Sequence, residues 1–302
     1  MDEASQFGQK RILIAGANGI VGRHLAERLQ SHFGLNGNIV CLSRRADSDN
    51  AKQKATWLQG DLELRIDLPK VDLMFHCAPI WLLPKHIESL ARSGLKRLIA
   101  FSSTSAITKA DSCSEEERSL SRLLQESEQA VIRNCVNAGL AYTLFRPTMI
   151  YGYGEDHNIS TIARFIRRFR FFLVAGRAKG LRQPVHVDDL VAASTSAVGA
   201  KAAINRTYDL AGGEVMEYRE MVQRIFRALG LEPHIVSLPV ALYRVLLQAL
   251  GRISGNNSYS GGMADRMNED LNFDYTGATT DLGYSPQKFL SDPQRDLVLS
   301  AR

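Results

Sequence analysis

The stretch AGANGIVG sets Gly16, Gly19 and Gly22 three residues apart, after the apolar run RILIAG and before the helical pattern IVGRHLAERLQSHF. Glycines at this spacing suit a phosphate. The first allows a tight turn out of a strand, the second lets backbone approach a pyrophosphate, and the third lets the next helix lie close on the sheet. The helix start adds free N–H groups and the positive end of its dipole. A strand before and a helix after make dinucleotide binding the expectation, with a ligand-free glycine turn as the alternative. At the end of the second strand, CLSRR brings Ser43, Arg44 and Arg45 where a carboxylate would accept bonds from ribose hydroxyls. A guanidinium pairs instead with a 2′-phosphate, so NADP(H) is expected over NAD(H). Asp61, after the third strand, can accept from an adenine amino group or simply form a turn. Arg164, Arg167, Arg168 and Arg170 read as one solvated helix face or as positive charge near an anionic ligand. No His/Cys/Asp cluster has metal-ligand spacing, and no G-x-S-x-G elbow offers a nucleophile.

The elements that must hold these residues alternate. Apolar runs at 11–16, 38–43, 55–61, 71–78, 96–103 and 141–147 read as strands, with helical patterns between them. Continuous apolar strands of this kind belong to a parallel sheet covered on both faces, so the expected fold is doubly wound α/β. The second half is less regular. It reads as a helix over 158–172, a short strand over 183–187, a helix over 188–198 capped by Asp188 or Asp189, a strand over 206–212 and a helix over 217–230. This predicts a dinucleotide-binding domain over 1–150. A smaller mixed substrate lobe follows over 151–302, partly interleaved with the last strands of the sheet. Ser114 and Glu117 form an S-x-x-E capping box at the head of the helix before the sixth strand.

Composition is consistent with this. A hydrophobic fraction of 45% and a charged fraction of 23% are those of a globular chain long enough to bury a core without staples. Cys41, Cys77, Cys113 and Cys135 are scattered, as free thiols in a reducing cytosol would be. The opening MDEASQFGQK is acidic and lacks the apolar run of a secretory signal. The longest apolar stretch, 236–253, is broken by Pro239 and Arg244 and suits an amphipathic helix rather than a membrane span. A cytoplasmic location follows. The net charge of +5 permits a small anionic ligand without demanding nucleic acid.

Seven motifs occur in a fixed order: GANGIVG, the strand-three GD, FHCAP, AFSSTSA, FRPTMIYG, RQPVHVDDL and DLGYSP. Together they resemble the extended short-chain dehydrogenase/reductases of the epimerase/dehydratase group, over about residues 10 to 290. The resemblance implies a Rossmann domain, oxidoreductase chemistry and a nucleotide-sugar substrate. It also implies cofactor contacts from Asn18, Ile20, Val21 and Leu62, from Cys77, Ala78 and Pro79, and from Ser102 and Pro147. Thr104 matches the family's substrate-orienting hydroxyl, with Ser105 beside it. Arg182 and Asn158 match side chains that bind the substrate's phosphates.

The resemblance breaks on one helix. The family carries a Tyr-x-x-x-Lys pair there, whose members share one helix face and meet the same cofactor ring. Residues 109–141 contain no tyrosine, and alignment on Glu128 puts Leu120 and Leu124 in those places. Tyr284 and Lys288 have the spacing but flank Pro286, so they do not share a helix face. Tyr151 and Tyr153 are the remaining phenols by location. About twenty residues separate FHCA from RLIAF, where the family has a longer, dimer-forming helix, so monomer and dimer both stay open. Two functions are expected: an oxidoreductase with a non-standard acid/base, or a non-catalytic NAD(P)-binding sensor or structural subunit.

Overall fold

In the computed structural model of the protein, the described residues are 7, 8, 10–35, 37–45, 55–64, 66–254 and 262–298. Most of the acidic opening therefore lies outside them. Strands β1 (Ile12–Ala15), β2 (Ile39–Ser43), β3 (Thr56–Gln59), β4 (Leu73–His76), β5 (Arg97–Phe101) and β6 (Ala141–Pro147) form the sheet with a later strand. Between them lie helices α1 (Ile20–Ser31), α2 (Ile87–Arg92), α3 (Ser105–Thr108) and α4 (Glu115–Asn137). The rest comprises β7 (Ile150–Tyr151), α5 (Ile159–Phe169), β8 (Phe172–Ala175), β9 (Leu181–Arg182), β10 (Val185–His186), α6 (Val187–Gly199) and β11 (Arg206–Leu210). There follow β12 (Met216–Glu217), α7 (Tyr218–Ala228), β13 (Ile235–Leu238), α8 (Val240–Ser254), α9 (Gly262–Arg266), α10 (Thr276–Leu282) and α11 (Pro293–Asp296).

The seven strands lie in the order β11-β6-β5-β4-β1-β2-β3, with every pairing parallel. The strand pleat sorts their side chains into two apolar layers. Ile12, Ile14, Phe75 and Ile99 face the layer that buries Leu25 and Leu29 of α1 and Leu190 of α6. Leu13, Ala15, Met74 and Leu98 face the layer that buries Leu90 of α2 and Leu124 and Val131 of α4. The sheet is thus doubly wound, as expected. Residues 187–210 return to it as α6 and β11, and a separate core holds the lobe, around Ile162, Ile166, Met221, Val222 and Phe226.

Two expected helix starts differ from the structure. The cap of α6 is His186, whose imidazole accepts the Asp188 N–H, because the helix begins at Val187 rather than after the two aspartates. The capping box at α4 does not form: Ser114 bonds Glu116, while Glu117 turns inward to Ser112 and Arg266. A tertiary ion pair has outcompeted the local hydrogen bonds of a capping box.

The order of strands reverses between β1 and β4, and a crevice opens beyond the carboxyl ends of strands at such a point. His76 closes β4 beside it, fully buried, with one ring nitrogen 3.1 Å from the Pro79 carbonyl and the other without a partner among the described residues. Burial pulls its pKa down to about 4 from 6.5. Between those values the unfolded chain takes up the proton and the folded chain does not, so stability falls as pH drops through that window. Unfolding free energy should decline by up to about 3 kcal/mol from this group between pH 6.5 and 4. Urea titrations across that range should show a shallower decline for His76→Gln; an unchanged slope would exclude His76 as the cause.

Candidate functional site: the cleft at the strand crossover

The loop after β1 presses directly on the segment after β4. Gly16 sits at φ +78, and a Cβ there would lie 2.6 Å from the Ala78 nitrogen and 2.7 Å from the Cys77 carbonyl carbon. At Gly22 a Cβ would collide with the Gly16 carbonyl oxygen and stand 2.9 Å from the Ala17 Cα. Gly19 is different: the nearest obstacle to a Cβ is the Gly16 oxygen at 3.3 Å, and its other side opens on the cleft. Among the described residues no side chain caps α1, and no acidic residue stands in its first turn, so its N-terminal amides and dipole remain available to an anion. Bare backbone at Gly19 next to an uncapped helix start fits a pyrophosphate.

The cleft has a volume of about 340 Å³. Gly19, Ile20 and Val21 form one side; Cys77, Ala78, Pro79 and Trp81 form the next. Ser102 and Ser103 stand at the end of β5, with Leu124 of α4, Pro147 and Ile150 closing the far wall. Ser102 donates to the buried Glu128 carboxylate at 2.5 Å. Arg146 grips the same carboxylate from its Nε, at 3.1 and 3.0 Å, and from a terminal nitrogen at 2.5 Å. A fork-shaped pair of this kind locks orientation as well as charge. The Ser102 hydroxyl is held in place by it.

Comparison with known proteins adds the decisive observation. Residues 12–80 and 85–211 match the NAD dependent epimerase/dehydratase family. The chain belongs to that family. It is 21% identical over 318 residues to UDP-glucose 4-epimerase of Vibrio cholerae, covering 94% of this chain and 93% of that protein. Among solved structures it resembles UDP-glucuronic acid 4-epimerase from Bacillus cereus in complex with UDP-glucuronic acid and NAD. There the TM-score is 0.71 at 16% identity, over 95% of this chain and 97% of the other. It also resembles MoeE5 in complex with UDP-glucuronic acid and NAD, with a TM-score of 0.71 at 19% identity over 92% and 94%.

For this member of the epimerase/dehydratase family, the NADP(H) expectation is corrected. The similar structures hold NAD. Arg44 and Arg45 are exposed, and the bonds at this corner run to their backbone: Asn18 reaches the Arg45 carbonyl and Gln59 the Arg44 carbonyl. Ser43 accepts from Asn18 at 2.8 Å, and Asn18 Oδ1 is buried without a partner among the described residues. An arginine at this place suggests a phosphate ligand; in the fold Arg44 and Arg45 are solvated surface residues. Asp61 forms a turn, its carboxylate accepting the Glu63 N–H at 2.9 Å, with the buried Leu62 between them.

Other expected residues are drawn elsewhere. The Thr104 hydroxyl is buried and donates to the Pro147 carbonyl at 3.1 Å, while the Ser105 N–H donates to Ser103. Tyr151 is buried, its hydroxyl between the Lys288 carbonyl and the Leu290 N–H, and burial raises its pKa. Tyr153 donates to Asp188 at 3.0 Å and is pushed up to about 12 by burial and that carboxylate. An acid/base working near neutrality needs the opposite shift. Neither phenol lines the cleft. Arg182 is buried and donates to the Leu181, Glu269 and Arg266 carbonyls under the Tyr218 ring, while Asn158 is exposed at the head of α5. Ile80, Trp81, Phe101, Ser103 and Ile150 line the cleft as well, and the sequence pattern marks none of them except by nearness to Pro79, Ser102 and Pro147.

Gly22→Ala should destabilise the fold, because backbone must move. Gly19→Ala should fold normally yet bind dinucleotide at least about tenfold more weakly, since its Cβ projects into the cradle. Calorimetric titration with NAD⁺ alongside thermal melts checks both; equal binding by Gly19→Ala would place the dinucleotide elsewhere.

Proposed function

We propose that the protein binds NAD(H) in the crossover cleft and performs hydride-transfer chemistry on a small anionic, nucleotide-sugar-like substrate in the cytoplasm. The observation that carries this is the cradle: glycine backbone, an uncapped helix start and a fixed Ser102 meeting in one cleft. When bound, the dinucleotide supplies a hydride acceptor or donor. The glycine loop holds the pyrophosphate. The unpaired Asn18 Oδ1 offers an acceptor at the adenosine end. Ser102 and Ser103 orient a substrate hydroxyl, and Thr104 acts as a positioning residue through the Pro147 carbonyl. Asn158 is free to meet a substrate phosphate, and Arg182 holds the segment around Arg266 and Glu269 that borders the same lobe. Cys77, pushed up to about 12 by burial, is no nucleophile. The free cysteines support a reducing compartment.

A second reading rests on the far wall. Leu124 lines the cleft, and Leu120, one turn earlier, packs beside it, where the family's proton-transfer pair is expected. Loss of a positioned acid/base typically costs about 10² to 10⁴ in rate. This favours a non-catalytic NAD(H)-binding sensor or structural subunit that is missing the Tyr-x-x-x-Lys pair.

The double substitution Leu120→Tyr/Leu124→Lys separates the two. With NAD⁺ and UDP-glucose or UDP-glucuronic acid, slow turnover of the parent should rise about 10² to 10⁴-fold in a variant that still binds NAD⁺. No turnover in either protein, with dinucleotide binding intact, would decide for the sensor or subunit.

A further inference from the structure

The lobe has a face that neither cofactor nor substrate explains. Residues 157–187 and 233–264 contain no aspartate or glutamate. Strands β8 and β13 bring the two stretches together as a parallel pair, with Ile235 opposite Phe172. Phe171 and His234, just ahead of these strands, lie with ring centroids 6.4 Å apart. Helix α8 then runs back along β8. Its start meets Gly176, where a Cβ would touch Val240 at 3.3 Å, and one turn later the Tyr243 hydroxyl reaches the Leu173 carbonyl at 3.5 Å. The later part of α8 therefore heads toward the end of β8 at which α5 finishes.

Over its first two turns, α8 is apolar on two sides, with Arg244 between them. Tyr243 and Leu247 are buried in the lobe, whereas Leu242 is 53% and Val245 62% exposed. A helix that is apolar beyond its core-facing stripe lacks the polar outer face that solvent requires. At the neighbouring end of the ribbon, Phe169 is 48% exposed beneath the Arg168 guanidinium, 5.5 Å away. Arg164, Arg168 and Arg170 stand exposed on and just past α5, and Arg177 and Lys179 stand exposed beyond β8. Exposed aliphatics on α8 and a phenylalanine at the end of α5 thus belong to two paired stretches that carry long cationic side chains and no carboxylate of their own; Asp265, just beyond the second, pairs with Arg244 of α8.

We propose that this face docks on an anionic phospholipid surface, with Leu242, Val245 and Phe169 entering the headgroup boundary and the arginines meeting lipid phosphates. Long basic side chains around apolar ones are the pattern that lies in a membrane interface. A nucleic acid would leave the α8 aliphatics without use. A second copy of this chain would set the same cations against themselves. No helix among the described residues is long and apolar enough to cross a membrane, so the attachment is peripheral.

The test is cosedimentation of the full chain with phosphatidylcholine vesicles, with and without about 30% phosphatidylglycerol. Near 0.1 M salt, recovery should be at least about tenfold higher on the anionic vesicles, and it should be lost near 0.5 M. Leu242→Glu/Val245→Glu should lower it at least about tenfold. Independently, Arg164→Gln/Arg168→Gln/Arg170→Gln, on a solvated face, should lower it by about a hundredfold. Equal recovery on both vesicles, or binding indifferent to the arginines, overturns the proposal. So does a Leu242→Glu/Val245→Glu variant that only converts a dimer to a monomer by light scattering, which would assign the face to contact between copies.

Discussion

One close approach organises the nucleotide-binding half. The carbonyl of Gly16 lies where any side chain at Gly22 would have to be, and Gly16 itself leaves no room for a Cβ against the Cys77–Ala78 backbone. The first contact fixes how closely α1 lies on β1; the second fixes the loop against β4. Together they aim the start of α1 at the point where the strand order reverses, and there a crevice opens. Shape and electrostatics come from the same backbone contacts. The helix start without a side-chain cap leaves its amides free to meet water or an anion.

What the sequence showed clearly was whatever depends on local pattern. Buried parallel strands read as continuous apolar runs, and the glycine spacing sits between the first strand and its helix, so both the sheet and the cradle were legible. Hidden were the outcomes of competition between polar partners far apart in the chain. Glu117 has the spacing of a capping residue, yet Arg266, 149 residues away, holds it. Arg182 looks like a phosphate ligand, yet three backbone carbonyls take its donors. Tyr153 looks like a spare phenol, yet Asp188 binds it. Arg44 and Arg45 are the reverse case: their type suggests a 2′-phosphate, whereas the similar structures hold NAD.

The cleft joins two differently built halves. One presents bare glycine backbone and a serine locked through Glu128 to Arg146. Its far wall is a leucine packed into the same apolar layer as Val131 and Cys135. These halves rest on different elements: the cradle on β1, α1 and the segment after β4, the far wall on α4. A change on α4 therefore need not disturb the glycine loop.

The chain has two tryptophans, Trp57 on β3 and Trp81, and Trp81 lines the cleft. Tryptophan emission quenched by bound NADH is thus a direct gauge of occupancy. Saturable quenching by NADH, reversed by NAD⁺ and largely lost in Trp81→Phe, is the predicted result. Absence of saturable quenching, or quenching unchanged in Trp81→Phe, would contradict binding at the strand crossover.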